Sequence, residues 1–163
     1  MKKRKVNTQP FWRFTFLVYC GFMLWLLFGR TSGVIEGLSY EETLRHNINL
    51  TPLLTIRNYW YVILHRSNET MVRHCIINLA GNVLLFIPAG WLLPRLWKPM
   101  RNFFLFFLTC TLAIFLVELV QLFTLLGRFD VDDLILNLSG MLLGYLYYTV
   151  CAAIRNKRGK RKS

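Results

Sequence analysis

The chain has 163 residues, of which 55% are hydrophobic and 17% are charged, and its formal net charge is +12. Soluble domains usually carry more charge, about 25% of their residues. The basic residues occupy the termini and the loops between apolar runs, and they form no stripe interleaved with aromatic residues. Composition therefore argues against a soluble globular domain, and the placement of the charge argues against nucleic acid as a partner.

Four apolar runs are long enough to cross a membrane, which takes about 18 residues or more. We predict helices over approximately residues 11–28, 75–93, 103–126 and 131–154. A basic head precedes the first run, but the sequence after it is a poor cleavage site for a secretory signal, so we predict an uncleaved helix. One membrane domain then covers residues 1–163, and residues 155–163 form a basic tail that we expect to be disordered.

The polar stretch at residues 29–74 separates the first two runs. Its segments Asn49–Leu54 and Tyr59–Leu64 are apolar or aromatic, but each is too short to span a bilayer. Tyrosine and tryptophan favour the level of the lipid head groups. We expect this long loop to lie on the membrane surface or to enter the membrane as a re-entrant segment.

Charge asymmetry predicts the orientation of the four helices. The N-terminal flank, the loop at 94–101 and the C-terminal tail contain basic residues and no acidic residue, whereas all eight acids fall in the other loops or close to them. Short loops rich in Lys and Arg stay in the cytoplasm. The predicted fold is therefore an all-α membrane protein, a four-transmembrane-helix bundle with both termini cytoplasmic and a long extracytoplasmic loop after the first helix.

Polar residues of the last three predicted helices fall at similar depth in this arrangement, in the half that faces outwards. They occur three or four residues apart, and such spacing places them on one face of each helix. With the adjacent turn they form the predicted binding set, which is Asn78, Asn82, Glu118, Gln121, Arg128, Asp130, Asp133 and Asn137.

Glu118 is the acid that we expect to be most deeply buried. An ionised carboxylate within a membrane costs at least about 2.5–3.5 kcal/mol on insertion scales, so such groups usually face a polar cavity or a partner. We expect Glu118 to pair with Arg128 or Arg73, or to be protonated and hydrogen-bonded to an asparagine of the set.

A purely structural interpretation of these polar residues stays open. Asparagines in membrane helices often serve only as interhelical hydrogen-bonding groups. The acids at the start of the fourth helix can cap it and interact with its positive end; these are Asp130, Asp132 and Asp133. Gly140 and Gly144 form a small-xxx-small pair, which predicts close packing within the bundle rather than dimerisation.

The sequence predicts no metal site and no cofactor. The three histidines lack the spacing of metal ligands, and the four cysteines fall one per apolar run without a CxxC pair. A hard cation held by aspartate and asparagine oxygens stays an alternative. No motif supports catalysis by a serine, histidine and aspartate triad.

Three ordered blocks of sequence carry a resemblance to a known family. They are Asn49-Leu50-Thr51-Pro52, then residues 78–94, and then residues 118–123 with 128–140. Together they resemble the VanZ-like family of bacterial membrane proteins. The resemblance implies a small multi-pass protein of the bacterial cytoplasmic membrane, in a family of which one member is associated with low-level resistance to the glycopeptide teicoplanin.

The family motif positions implied by this resemblance are Asn82, Pro88, Gly90, Glu118, Gln121, Arg128, Asp130, Asp133, Asn137 and Gly140. Ser139 lies where the family usually has a second small residue, often glycine, and is a mild departure from the pattern.

The leading functional interpretation is an outward-facing polar pocket that binds or shields a cell-envelope component. The expected partners are membrane lipids and a lipid-linked or peptidoglycan-related head group, with an effect on glycopeptide susceptibility. Arg128 and Arg73 would contact phosphate or carboxylate. The alternative is an intramembrane enzyme in which Glu118 and Asp133 are the candidate catalytic acid and base. A transporter is disfavoured because the cytoplasmic half holds almost no polar path, and nothing in the sequence indicates an oligomeric state.

Overall fold

A computed structural model describes residues 9–29, 33–65 and 68–160. Two strands of two residues each, β1 (Ile48–Asn49) and β2 (Phe129–Asp130), pair in parallel. The helices of the described residues are α1 (Gln9–Phe28), α2 (Tyr40–His46), α3 (Leu54–His65), α4 (Glu69–Leu96), α5 (Phe103–Phe123) and α6 (Val131–Lys160). Four of these, α1, α4, α5 and α6, are long and apolar enough to cross a membrane. The prediction of four membrane-spanning helices is confirmed at that level.

Several predicted helix boundaries differ from the structure, and at two of them polar residues begin or end the helix. α4 begins at Glu69, well before the predicted start at 75, and Asn68 caps it by accepting a hydrogen bond from the Met71 backbone at 3.2 Å. α5 ends at Phe123 rather than 126, and the Thr124 hydroxyl donates to the Val120 carbonyl at 2.6 Å. Apolar runs locate a span, but they do not reveal polar turns at its ends.

The basic tail is the larger correction. α6 continues to Lys160, so the residues from 155 to 160 are helical where disorder was expected. A helix that is already formed adds one hydrogen bond for each residue it fixes, which favours continuation into a polar segment. The end of the tail (161–163), the basic N-terminal segment (1–8), Arg30 and Arg66 lie outside the described residues.

The long polar stretch contains two helices, α2 and α3, and the expectation that it lies on the membrane surface or enters the membrane stays a prediction. Ser39 begins α2 with a capping box, in which its hydroxyl accepts from the Glu42 backbone and the Glu42 carboxylate accepts from the Ser39 backbone at 2.9 Å. The Ser39 hydroxyl and backbone N–H hold the pKa of Glu42 below its ordinary value. Local side-chain bonds thus define this helix without a long apolar run.

Helices α4 and α6 form the central pair, and glycines allow their backbones to approach closely. A Cβ atom on Gly140 would collide with the backbone carbonyl of Val83, and one on Gly144 with that of Ile87. A Cβ atom on Gly90 would likewise collide with the backbone carbonyl of Met141. The prediction that the Gly140 and Gly144 pair packs within the bundle is confirmed.

The core lies along one face of α5, where Phe106, Cys110 and Ile114 are at most 2% exposed. They belong to one cluster with Phe86 of α4 and other residues of α1 and α6. The outer faces of the spans are apolar and uncovered, as for Phe104 of α5, which is 81% exposed. Apolar surface on this scale fits contact with lipid chains rather than with water.

Gly140→Ala should destabilise the bundle, because the added methyl group meets backbone that can move only if α4 shifts. Such overpacking costs about 1–3 kcal/mol. Gly81→Ala is the matched control, since a Cβ there meets nothing within 4 Å. Thermal unfolding in detergent should show a lower melting temperature for Gly140→Ala only. Equal melting temperatures for the two variants would contradict this packing.

Candidate functional site

Asp130 joins the two polar parts of the molecule at the start of α6. One carboxylate oxygen accepts from the Asp132 backbone at 2.9 Å and from the Asn49 side chain at 3.2 Å. The other accepts from the Thr55 hydroxyl at 2.6 Å. Asp130 therefore caps α6, as expected for one of these acids, and also binds the segment that leads into α3.

Asp132 caps a different helix from the one expected. Its side chain is 0% exposed, and its carboxylate accepts from the backbone N–H groups of Leu53 at 2.5 Å and Ile56 at 3.0 Å. These groups belong to the start of α3, where the helix dipole favours a negative charge. Leu53 has a left-handed backbone with φ 63°, an uncommon conformation for leucine. The buried acid thus holds the N-terminus of α3 against the start of α6.

Asn47 fastens the preceding loop to the same place and is 2% exposed. Its side-chain amide donates to the Gly33 carbonyl at 2.6 Å, and its backbone carbonyl accepts from Phe129 at 2.9 Å. Its side-chain oxygen accepts from Nε of Arg128 at 3.4 Å. This one residue positions both the loop after α1 and the turn before α6.

A cavity of about 710 Å³ lies between these segments on one side and the N-terminal half of α4 and the C-terminal end of α5 on the other. Five of the eight predicted binding residues line it, and they are Asn78, Gln121, Arg128, Asp130 and Asp133. The polar stretch contributes Asn47, Thr55, Asn58 and Tyr59, and α4 adds His74. The cavity therefore contains cationic, anionic and neutral polar groups from distant parts of the sequence.

The other three predicted residues, Asn82, Glu118 and Asn137, lie outside the cavity lining. Asn82 donates a hydrogen bond from its side-chain amide to the carboxylate of Asp133. Glu118 and Asn137 are each 4% exposed. The Asp130 backbone and the Asp133 carboxylate lie close enough to act electrostatically on the Glu118 carboxyl group. These three residues therefore lie beneath the residues that line the cavity, and Asn82 is bonded to one of them, Asp133.

Three buried acceptor atoms in this region have no hydrogen-bond partner among the described residues. They are Oδ1 of Asn78, Oε2 of Glu118 and Oδ1 of Asn137, one from each of α4, α5 and α6. Leaving a buried polar group unpaired costs about 1–3 kcal/mol. Native structures usually satisfy such groups with protein, water or a ligand, so these atoms mark a functional candidate.

The expected ion pairs of Glu118 are not formed. Arg128 directs its Nε to Asn47, and Arg73 is exposed and absent from the cavity lining. Gln121 donates from its amide to the Leu27 carbonyl at 2.8 Å, which links α5 to the end of α1. These partners are far from Gln121 and Arg128 in the sequence, so the sequence alone did not predict the contacts.

Tyr59 shows how charge acts inside the cavity. Burial raises the pKa of its phenol first, and the negative charge of Asp133 raises it further, whereas Arg128 opposes the shift. The Tyr59 ring also meets the His74 ring edge to face at 6.3 Å between centroids. A neutral hydroxyl donor is therefore held beside the carboxylates.

The part of the chain that the structure describes contains no group of three or more His, Cys, Asp or Glu side chains placed to hold a metal ion. The four cysteines are free thiols, and two of them, Cys75 and Cys110, are buried among the helices.

The polar stretch contributes more residues to the site than the sequence predicted. Asn47, Tyr59 and His74 were not predicted to belong to the site, although each lines the cavity. A signal was present at Asn49, whose side-chain oxygen accepts from the Thr51 backbone at 3.1 Å in a local turn. An Asn-x-Thr-Pro segment is typical of such a turn before a helix.

Residues 16–152 match the family model described as VanZ/LLP1. The chain belongs to the VanZ/LLP1 family. The matched region contains every residue that lines the cavity, so the site belongs to the part of this VanZ/LLP1 protein that defines its family. No match was found among curated proteins or among solved structures.

Asp132→Asn should loosen the start of α3, because a neutral amide cannot accept from two backbone N–H groups as a carboxylate does. Losing a charge-assisted, buried hydrogen bond costs about 1.5–3 kcal/mol. Hydrogen exchange should become faster at the amides of Leu53 and Ile56. Glu36→Gln removes the same charge from an exposed position and is the control. Unchanged exchange at both amides would contradict the assigned role of Asp132.

Tyr59→Phe should lessen the loss of stability at alkaline pH. The folded-state pKa of Tyr59 lies above the unfolded value, so this contribution is complete below the unfolded pKa and is lost as pH rises through the folded pKa. Melting temperatures between about pH 9 and 11 should therefore fall less steeply for Tyr59→Phe than for the wild type. Tyr61→Phe, on the exposed face of the same helix, is the control, and identical slopes for the two variants would refute the interpretation.

Proposed function

We propose that this VanZ/LLP1 protein binds the polar head group of a cell-envelope component in the cavity between α3 and the ends of α4, α5 and α6. The observation that carries the proposal is the cavity itself, about 710 Å³ lined by Arg128, Asp130, Asp133 and several neutral polar groups. A volume of this size accommodates a small-molecule ligand or a sugar-containing head group. Spans with apolar outer faces would give a lipid-linked ligand access from the bilayer.

The orientation is part of the proposal. Charge asymmetry supports cytoplasmic termini, which would make the long polar stretch extracytoplasmic and open the cavity to the outside of the bacterial cytoplasmic membrane. A pocket on that side would meet lipid-linked or peptidoglycan-related molecules. Binding or shielding one of them would alter susceptibility to a glycopeptide such as teicoplanin.

Arg128, Asp133 and Asn78 would contact the ligand directly in this proposal. Arg128, held through Nε by Asn47, would present the rest of its guanidinium group to a phosphate or carboxylate. Asp133, with one oxygen bound to Asn82, would accept from hydroxyl or amine groups of the ligand. Asn78 would provide a neutral contact from α4. Glu118 would act through Asp133 rather than by direct contact, since it does not line the cavity.

The second candidate is an enzyme that acts on a lipid-linked envelope precursor. The observation that favours it is the mutual electrostatic range of Glu118 and Asp133, since neighbouring acids can divide the roles of acid and base. The position of Glu118 behind the cavity favours binding instead, because a catalytic acid must reach its substrate.

Arg128→Gln should weaken binding of a lipid-linked disaccharide-peptide precursor to the full chain in nanodiscs, by about tenfold for one lost charged contact. Arg57→Gln is the matched control, because Arg57 is exposed on α3 and does not line the cavity. Equal affinities for the two variants would contradict the proposal.

Experiments in cells distinguish the two candidate functions. Unchanged lipid extracts together with Arg128-dependent binding of labelled teicoplanin to whole cells would support shielding. A lipid species that changes with expression and returns to normal in Asp133→Asn would support the enzyme instead.

A further inference from the structure

A second cluster of interacting side chains lies at the opposite end of the bundle from the cavity, where α1 begins, α4 ends and α6 approaches its C-terminus. The guanidinium carbon of Arg95 lies 4.1 Å from the centre of the Trp12 ring and 5.0 Å from that of Trp91. The two tryptophan rings meet edge to face at 5.0 Å between centroids. Tyr148 and Arg155 of α6 lie within electrostatic range of Arg95. We call these five residues the Arg95 cluster.

Positive charge in the Arg95 cluster is not balanced by any acid. Arg95 and Arg155 come from different helices and repel each other. The sequence contains no Asp or Glu from 70 to 117 or from 134 to 163, which covers most of α4 and the part of α6 that reaches the cluster. Arginine is well suited to binding phosphate, and the Arg95 guanidinium group, held over two tryptophan rings, has no carboxylate as a partner in the described parts of the chain.

Unpaired donors point to the same kind of ligand. Nε of Arg95 and Nε1 of Trp12 are both buried and have no hydrogen-bond partner among the described residues. Stacking on two rings orients the guanidinium plane without using its N–H groups. A local rearrangement that admits an acceptor would satisfy these donors, because buried N–H groups are normally hydrogen-bonded.

We propose that the Arg95 cluster binds a phosphate group, that of an anionic phospholipid. Tryptophan and tyrosine favour the level of lipid head groups, and basic pockets between membrane helices accept lipid phosphates. Phe11 contacts Trp12 and Tyr147 contacts Trp91, and these two side chains are 62% and 59% exposed and offer apolar contact for acyl chains. The site is separate from the cavity and does not depend on the function proposed for it.

Native mass spectrometry of the full chain in neutral detergent tests the site by titration with phosphatidylglycerol and with phosphatidylcholine. Phosphatidylglycerol should bind more tightly, because no acid of the cluster is available to pair with the choline cation. Arg95→Gln and Arg155→Gln should each weaken phosphatidylglycerol binding by about tenfold, the loss expected for one charged hydrogen bond. Lys98→Gln is the matched control, since it removes an exposed charge near the same end without touching the cluster.

Trp12→Phe keeps the aromatic ring, removes the Nε1–H donor and should also weaken binding of phosphatidylglycerol. Arg155 is exposed near the end of α6, so Arg155→Gln keeps the test valid even if Arg95→Gln unfolds the protein. Equal effects of Arg155→Gln and Lys98→Gln would overturn the site, because phosphatidylglycerol would then bind only through general attraction to a basic protein. Equal binding of the two lipids would also overturn it. Displacement of the lipid by inorganic phosphate, with the same dependence on Arg155, would support the phosphate site but overturn its assignment to a lipid.

Discussion

Two neighbouring aspartates at the start of α6 hold the polar part of the protein onto its membrane helices. Asp130 accepts from Asn49 and Thr55, and Asp132 accepts from the backbone that begins α3. These bonds add to the pairing of β1 with β2 and to the packing of α3 against α4 and α6. A carboxylate that accepts several hydrogen bonds can be buried at acceptable cost, as Asp132 is, because its bonds replace those that water made.

The cavity is a consequence of this attachment. α3 and the loop fixed by Asn47 lie over the ends of α4, α5 and α6, so that Asn78, Gln121 and Asp133 of these helices line the cavity. Farther along the bundle, glycines bring the backbones of α4 and α6 into close contact. The same helix pair therefore opens into a polar cavity at one end and closes into a packed core below it.

Much of the fold could be predicted from the sequence because apolar runs and small-residue spacing act locally. The four long helices follow from run length, and the contact of α4 with α6 follows from Gly140 and Gly144. The helices α2 and α3 could not be predicted in the same way, since side-chain caps and tertiary hydrogen bonds define them. Asp132 illustrates the difference: its position suggested a cap for its own helix, but the structure assigns it to α3, 76 residues away at Ile56.

The candidate site shows the same division. Spacing within α4, α5 and α6 placed the predicted polar groups on one face of each helix, but it did not identify the bonding partners of Glu118, Gln121 or Arg128. Those partners, including Leu27 and Asn47, lie on segments whose placement depends on tertiary contacts. Pairing of side chains across such distances requires the folded geometry.

A double-mutant cycle between Thr55→Val and Asp130→Ala tests most directly whether the start of α6 holds α3 in place. The free energy of unfolding would be measured for the wild type, both single variants and the double variant. We expect a coupling energy of about 1 kcal/mol or more, since the two side chains share a hydrogen bond. Additive effects, within about 0.3 kcal/mol, would contradict it.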